Sequence, residues 1–143
     1  MTQANSFVDI DALTGNDLAV ADVPFVFDED GNPIAGVKIV SKNSNQYQEA
    51  QRAIEMLAVK RAVIKKQQID VKTDEGAAQY VDIGKVNQIK LASAVVVSMY
   101  GFKAGGQDAT PSPELLNKIF TSKPTWLTQV SLKLESDSGF LPA

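Results

Sequence analysis

Ile34-Ala35-Gly36-Val37-Lys38-Ile39-Val40-Ser41-Lys42-Asn43-Ser44-Asn45-Gln46-Tyr47 is the stretch on which the fold turns. Up to Val40 it alternates, Val37 and Ile39 against Gly36, Lys38 and Val40, which is the two-residue period of a strand. After Lys42 the period changes. Asn43 or Ser44 can cap a helix by accepting a hydrogen bond from a first-turn amide. From Tyr47 onward, apolar or small residues recur at 47, 50, 54, 57, 58 and 64, a 3.6-residue stripe. The stripe predicts a helix to about Gln67, with Lys60, Arg61, Lys65 and Lys66 in its last turns, where cations suit the helix dipole.

Before this stretch, Val23–Phe27 (VPFVF) is an apolar run that favours a strand, and Pro24 places it near a strand start or a sheet edge. Asp28-Glu29-Asp30-Gly31-Asn32-Pro33 is dense turn chemistry. The two runs therefore read as a β-hairpin over about Val23–Val40. Residues 1–17 read as an irregular, weakly ordered arm.

Beyond the first helix, Gln68–Ile83 alternates in pieces around Asp74-Glu75-Gly76 and reads as a weaker hairpin or a long loop. The helix period returns from Lys85, with Val86, Ile89, Ala92, Val96 and Met99 on one face to about Tyr100, and Gly101 as the stop. Gly105-Gly106 reads as a flexible loop. Ser112-Pro113 opens a short helix with Leu115, Leu116, Ile119 and Phe120 on its apolar face. Pro124 opens another, with Trp126, Leu127, Val130 and Leu134 facing inward. The expected fold is α+β: an N-terminal β-hairpin packed on a mainly helical core of about four helices, in one domain over residues 1–143.

The chain has 143 residues, a formal net charge of −3, and neither Cys nor His. That composition excludes disulfides, zinc sites built from those ligands, thiol nucleophiles and any imidazole base. No basic region precedes an apolar stretch at the N-terminus, so no signal peptide is expected. The longest near-continuous apolar run, Leu91 to Met99, is nine residues, against about 20 for a bilayer span. No membrane partner is expected. Charge is uneven: residues 1–37 carry seven acids and no base, and residues 38–72 carry eight bases and three acids. The simpler reading is attraction between acidic front and basic middle within one fold. The sharper one is two patches for different partners.

Motifs for chemistry fail on inspection. Asp28, Asp30 and Asn32 resemble the front of a calcium loop, but its sixth and twelfth positions hold Pro33 and Ile39 instead of glycine and glutamate. Gly84-Lys85 lacks the earlier glycine and the following Ser or Thr of a phosphate loop. Asp28/Glu29/Asp30 and Asp74/Glu75 read as solvated turns, with nothing apolar to shift a carboxylate toward catalysis. Lys60, Arg61, Lys65 and Lys66 spread over more than half the helix circumference with no interleaved aromatics, so no nucleic-acid partner is expected. Catalytic, cofactor-binding and metal-binding residues are therefore each expected to be none, and the chain is not expected to be an enzyme.

In chain order, several short motifs resemble one family. Asp30-Gly31-Asn32-Pro33 leads into Gly36-Val37-Lys38-Ile39, and Ser44 to Tyr47 opens a long basic-ended helix. Met99-Tyr100-Gly101-Phe102 closes a second apolar helix. Pro113-Glu114-Leu115-Leu116, Pro124-Thr125-Trp126-Leu127 and Gly139-Phe140-Leu141 follow. Over about residues 25–141 this order resembles the tail assembly chaperones of long-tailed (siphovirus-type) bacteriophages. The resemblance implies a viral protein of the host cell cytoplasm, without catalysis. It would bind the tape-measure protein, assist tail-tube assembly with the tail-tube protein as a further partner, and leave before the virion is finished. It is compatible with a homo-oligomer. The alternative is a structural virion subunit, a tail or head–tail connector component. No motif marks the partner-binding residues. The short helices, with Leu115/Leu116/Ile119/Phe120 and Trp126/Leu127/Val130/Leu134 rimmed by Lys118, Lys123 and Lys133, carry the apolar surplus expected to meet the partner.

Overall fold

The computed structural model describes Ile10 and residues 17–136 and 139–141. The expected arm over residues 1–17 lies outside that set apart from Ile10 and Asp17. The fold is α+β, with an N-terminal antiparallel hairpin packed against a core of four helices. Strands β1 (Val20–Phe27) and β2 (Pro33–Val40) form the hairpin, in a register that sets Val20 against Val40 and Val23 against Val37. The turn closes through its own chemistry. Asp28 Oδ1 accepts from the amides of Asp30 and Asn32, each at 2.9 Å, and Gly31 takes a positive φ of 82° that a side chain would disfavour.

Four helices follow: α1 (Asn45–Val63), α2 (Asp74–Val95), α3 (Pro113–Ser122) and α4 (Pro124–Leu134). Three begin at hydroxyl caps. The side chains of Ser44, Thr73 and Ser112 accept from the amides of Tyr47, Gly76 and Leu115, which satisfies first-turn donors that have no intrahelical partner. Pro113 and Pro124 stand in the first turns of α3 and α4 as expected.

The structure corrects the reading of residues 68–100. Asp74-Glu75-Gly76 opens α2 instead of bending a hairpin, because Thr73 caps it and the two acids suit the positive end of the helix dipole. The helix then ends at Val95, not near Tyr100. Val96–Tyr100 is a third strand, β3, paired antiparallel with the free edge of β2. The run Val95-Val96-Val97 favours an extended chain once a strand edge is available to pair with it. Gly101 therefore ends a strand. Gly105 and Gly106, both at positive φ, make the two-residue turn of a small hairpin between β4 (Lys103–Ala104) and β5 (Gln107–Asp108). Two consecutive positive φ values match the twist of a tight hairpin, so this segment is a defined turn. The first helix also stops earlier than expected, at Val63, with a separate 3₁₀ turn over Lys65–Gln67.

The sheet order is β1-β2-β3, so β2 is central. One face, with Ala21, Val23, Phe25, Val37, Ile39 and Val96, packs on Ala92 and Val95 of α2, Leu116 and Phe120 of α3, and Leu127, Val130 and Leu134 of α4. Each of the larger side chains among these, Val, Leu, Ile or Phe, contributes about 1.5–3 kcal/mol when removed from water. Gly36 and Val40, which alternate with Val37 and Ile39, are buried too. Val40 sits opposite Val20, whose backbone is bridged on its other side to Leu141. Trp126 is half-buried at the margin of the core. Its ring stacks on Phe25, with centroids 4.7 Å apart and planes 3° from parallel, and meets Phe102 at 5.7 Å.

On the opposite face Tyr100 reaches across the central strand to β1. Its hydroxyl donates to Asp22 Oδ1 at 2.8 Å. The ring path requires Gly36: a Cβ there would stand 2.7 Å from the Tyr100 hydroxyl oxygen and 2.5 Å from the Val23 carbonyl oxygen. Burial and then the Asp22 carboxylate push the Tyr100 phenol up to about 12 from 10.0, since both oppose a phenolate.

Two outcomes are expected. Trp126→Ala should cost about 2–3 kcal/mol in urea unfolding, below the range for a fully buried tryptophan, because the ring is only partly enclosed. In alkaline titration one tyrosine should ionise near pH 12, and Tyr100→Phe should remove that step. Its contribution to stability is complete below pH 10 and falls as the pH rises through 12, because the unfolded chain ionises first. A tyrosine titration unchanged by Tyr100→Phe would contradict the Tyr100–Asp22 hydrogen bond.

Candidate interaction surface

Helices α1 and α2 run antiparallel and, beyond the Tyr47 end of α1 and the Ile89–Val95 end of α2, stand away from the core. From Asn45 to Leu91 only Gly76 is buried, and it is enclosed by its own cap, where a Cβ would collide with the Asp70 carbonyl. Helix α1 has no buried residue. Its 19 residues extend about 28 Å. The side facing α2 carries the half-buried Tyr47, Ala50, Gln51, Ile54 and Arg61. Residues 57, 58 and 64 of the expected stripe are exposed. The stripe is real, but only its first half finds cover. At the base, Gln88 of α2 donates to Ser131 of α4 at 3.0 Å, and Lys42 pairs with Glu135. That bond is the main cause holding the Lys42 ammonium above its ordinary value.

Exposed large apolar residues concentrate here. Met56, Leu57, Val59, Val63, Ile64, Val71, Tyr80, Val81 and Val86 all lie on this hairpin or its connecting loop. Val59 is 64% exposed and Val63 76%. On the outer side of α1, Arg52, Glu55, Met56, Val59 and Lys60 surround a shallow depression. Scattered single apolar residues need no explanation, whereas a concentration rimmed by charge is a candidate interaction surface.

The expected partner surface on the short helices is not free. Leu116, Phe120, Leu127, Val130 and Leu134 are buried in the core, Leu115, Ile119 and Trp126 are half-buried, and Leu132 alone of α3 and α4 is an exposed large apolar residue. Stacked on one sheet face, α3 and α4 leave only Leu132 of their large apolar residues exposed. The surplus belongs to the hairpin. Sequence reasoning missed it because a 3.6-residue stripe shows that a helix has an apolar side and not which body covers that side.

The charged groups are equally informative. The described residues contain two salt bridges, Lys42–Glu135 and Lys103–Asp108. Neither joins the acidic front to the basic middle, although the β1–β2 register sets Asp22 opposite Lys38. Asp28, Glu29 and Asp30 stand exposed in the β1–β2 turn, and Lys60, Lys65, Lys66 and Lys72 stand exposed toward the far end of the helical hairpin. The two are separate patches. Asp74 and Glu75 are exposed in the first turn of α2, not in a loop. Among the described residues no three carboxylates cluster as they would to hold a metal ion, and no helix is long and apolar enough to cross a membrane. The chain matches no family model, no curated protein and no solved structure.

A helix packed along one side only is a unit of low local stability. In native-state hydrogen exchange on the chain diluted to monomer, the amides of Ile54–Val63 should exchange at least roughly a hundredfold faster than those of Val37–Ile39 in the central strand. Equal protection in the monomer would mean that α1 is covered from within its own chain.

Proposed function

We propose that this protein is a non-enzymatic tail assembly chaperone of a long-tailed phage. In the host cytoplasm it holds apolar helical segments of the tape-measure protein until tail-tube subunits polymerise around them. The observation that carries the reading is the projecting α1–α2 hairpin, which with its connecting loop holds nine of the exposed large apolar residues. The order of short motifs over residues 25–141 supplies the kind of system. A helical partner docks by laying one apolar face into a groove, and a tape-measure protein is a long series of such faces.

The hairpin suits transient binding. Its apolar positions are interrupted by Arg52, Glu55, Lys60 and Arg61, so a bound helix gains only short stretches of apolar contact. Interfaces of that kind dissociate readily, and affinity is set mainly by the off-rate. Polymerising tube subunits can then displace the chaperone.

Co-expression with the tape-measure protein should keep that protein soluble, and the two should co-purify at both low and high salt, since apolar burial is not screened as exposed ion pairs are. Leu57→Asp with Val86→Asp, both at exposed positions, should reduce capture at least about tenfold, or about 1.4 kcal/mol, with little change in melting temperature. Loss of the complex at moderate salt would move the contact to the acidic turn or the basic hairpin end. No complex at any salt, with this protein present in finished virions, would replace the chaperone reading by that of a structural tail or connector subunit.

A further inference from the structure

Along the side of α1 turned away from α2, positions 45, 49, 52, 56, 59 and 63 recur at intervals of four and three. This is the heptad spacing of a helix that packs against another helix along a seam. The residues are Asn45, Glu49, Arg52, Met56, Val59 and Val63, and Met56, Val59 and Val63 are 50%, 64% and 76% exposed. The seam is therefore polar in its first half and apolar in its second. The basic residues Lys65 and Lys66 lie just beyond it.

We infer that a second copy of this chain covers this seam, with the two α1 helices antiparallel. The charge order decides the direction. A parallel pair would set Glu49 on Glu49 and Arg52 on Arg52, and would bring both basic ends together. An antiparallel pair sets Met56 against Val59 of the second copy and, by symmetry, Val59 against Met56. It lays the aliphatic stem of Arg52 along Val63. It also brings Glu49 to Lys65 and Lys66, opposite charge to opposite charge. The surface is complementary to itself about a two-fold axis, as an isologous interface requires. Each half of the seam supplies what the other half lacks. The core of each copy adjoins the Ser44 end of its own α1, so the two cores lie at opposite ends of the pair and leave the helices free to meet.

The pairing involves the chain alone and does not depend on the tape-measure reading. Light scattering of the purified chain should give twice the monomer mass. Val59→Glu should raise the dimer dissociation constant at least about tenfold, as expected for an apolar residue at the centre of a small interface. Glu49→Lys should also weaken the dimer, and the further changes Lys65→Glu and Lys66→Glu should restore it. The chain has no cysteine, so introduced ones report alone. When Arg52→Cys and Val63→Cys proteins are mixed in equal amounts and oxidised, the disulfide joining 52 to 63 should exceed both self-joined products. Dominant self-joined products would overturn the antiparallel seam. A monomer at every concentration reached would overturn the pairing itself, and would leave the co-expression result with the tape-measure protein untouched. Should Val59→Glu lower the melting temperature, the mixed-cysteine product decides.

Discussion

The β2–β3 ladder is the interaction on which the rest of the molecule depends. Ile39, near the end of β2, is registered with Val96, the first residue of β3. Everything between those strands, α1 and α2 included, is one connection whose two ends are clamped side by side in a sheet. Closing a loop of that length costs only slightly more than closing a short one, because the entropy grows with the logarithm of length. The clamp also supplies the core contacts. Ala92 and Val95, at the end of α2, are held under the sheet because Val96 continues directly into it. With its ends fixed in this way, the hairpin does not need to bury its own residues in order to exist.

The same ladder explains what could and could not be read from the residues. The change of period at Lys42–Ser44 located the β1–β2 hairpin and the start of α1, because turn, cap and alternation there agree with one another. The segment Val95–Tyr100 was not legible. Ile89, Ala92, Val96 and Met99 fit one helix face, and half of that face lies in α2 and half in β3. Apolar spacing could not separate the two. What decides is the open edge of β2, a tertiary fact. Asp74-Glu75-Gly76 failed for a different reason. Acids and glycine serve both tight turns and first helical turns, and the discriminating residue was Thr73, one position earlier.

Legibility of the candidate surface was limited by a different ambiguity. The stripe from Tyr47 to Ile64 and the apolar faces of α3 and α4 look alike as patterns. In the structure the short helices stack under the sheet and lose their surplus, whereas the long hairpin leaves the sheet after its first turns and keeps it. The charge pattern behaves in the same way. Acidic front and basic middle are adjacent in the chain, yet among the described residues no salt bridge joins them. Both features turn outward, which fits an interaction protein whose working surfaces lie outside its core.

A surface that must be covered and later released has to satisfy opposing demands, and α1 is suited to both. In the inferred pairing the three exposed apolar seam positions supply the attraction. They are too few to give the cohesion of a long coiled coil, which repeats its apolar pairs over many heptads. Glu49 and Arg52 interrupt the seam at the cost of affinity and in return fix its direction, since polar residues at seam positions select register and orientation. Because α1 is held along one side only and meets the core only through Tyr47 in its first turn, its outer turns can open while the core stays in place. On this reading a second copy and an incoming helix compete for neighbouring parts of the same exposed element. Exchange between them would proceed by loosening α1 while the clamped sheet stays intact.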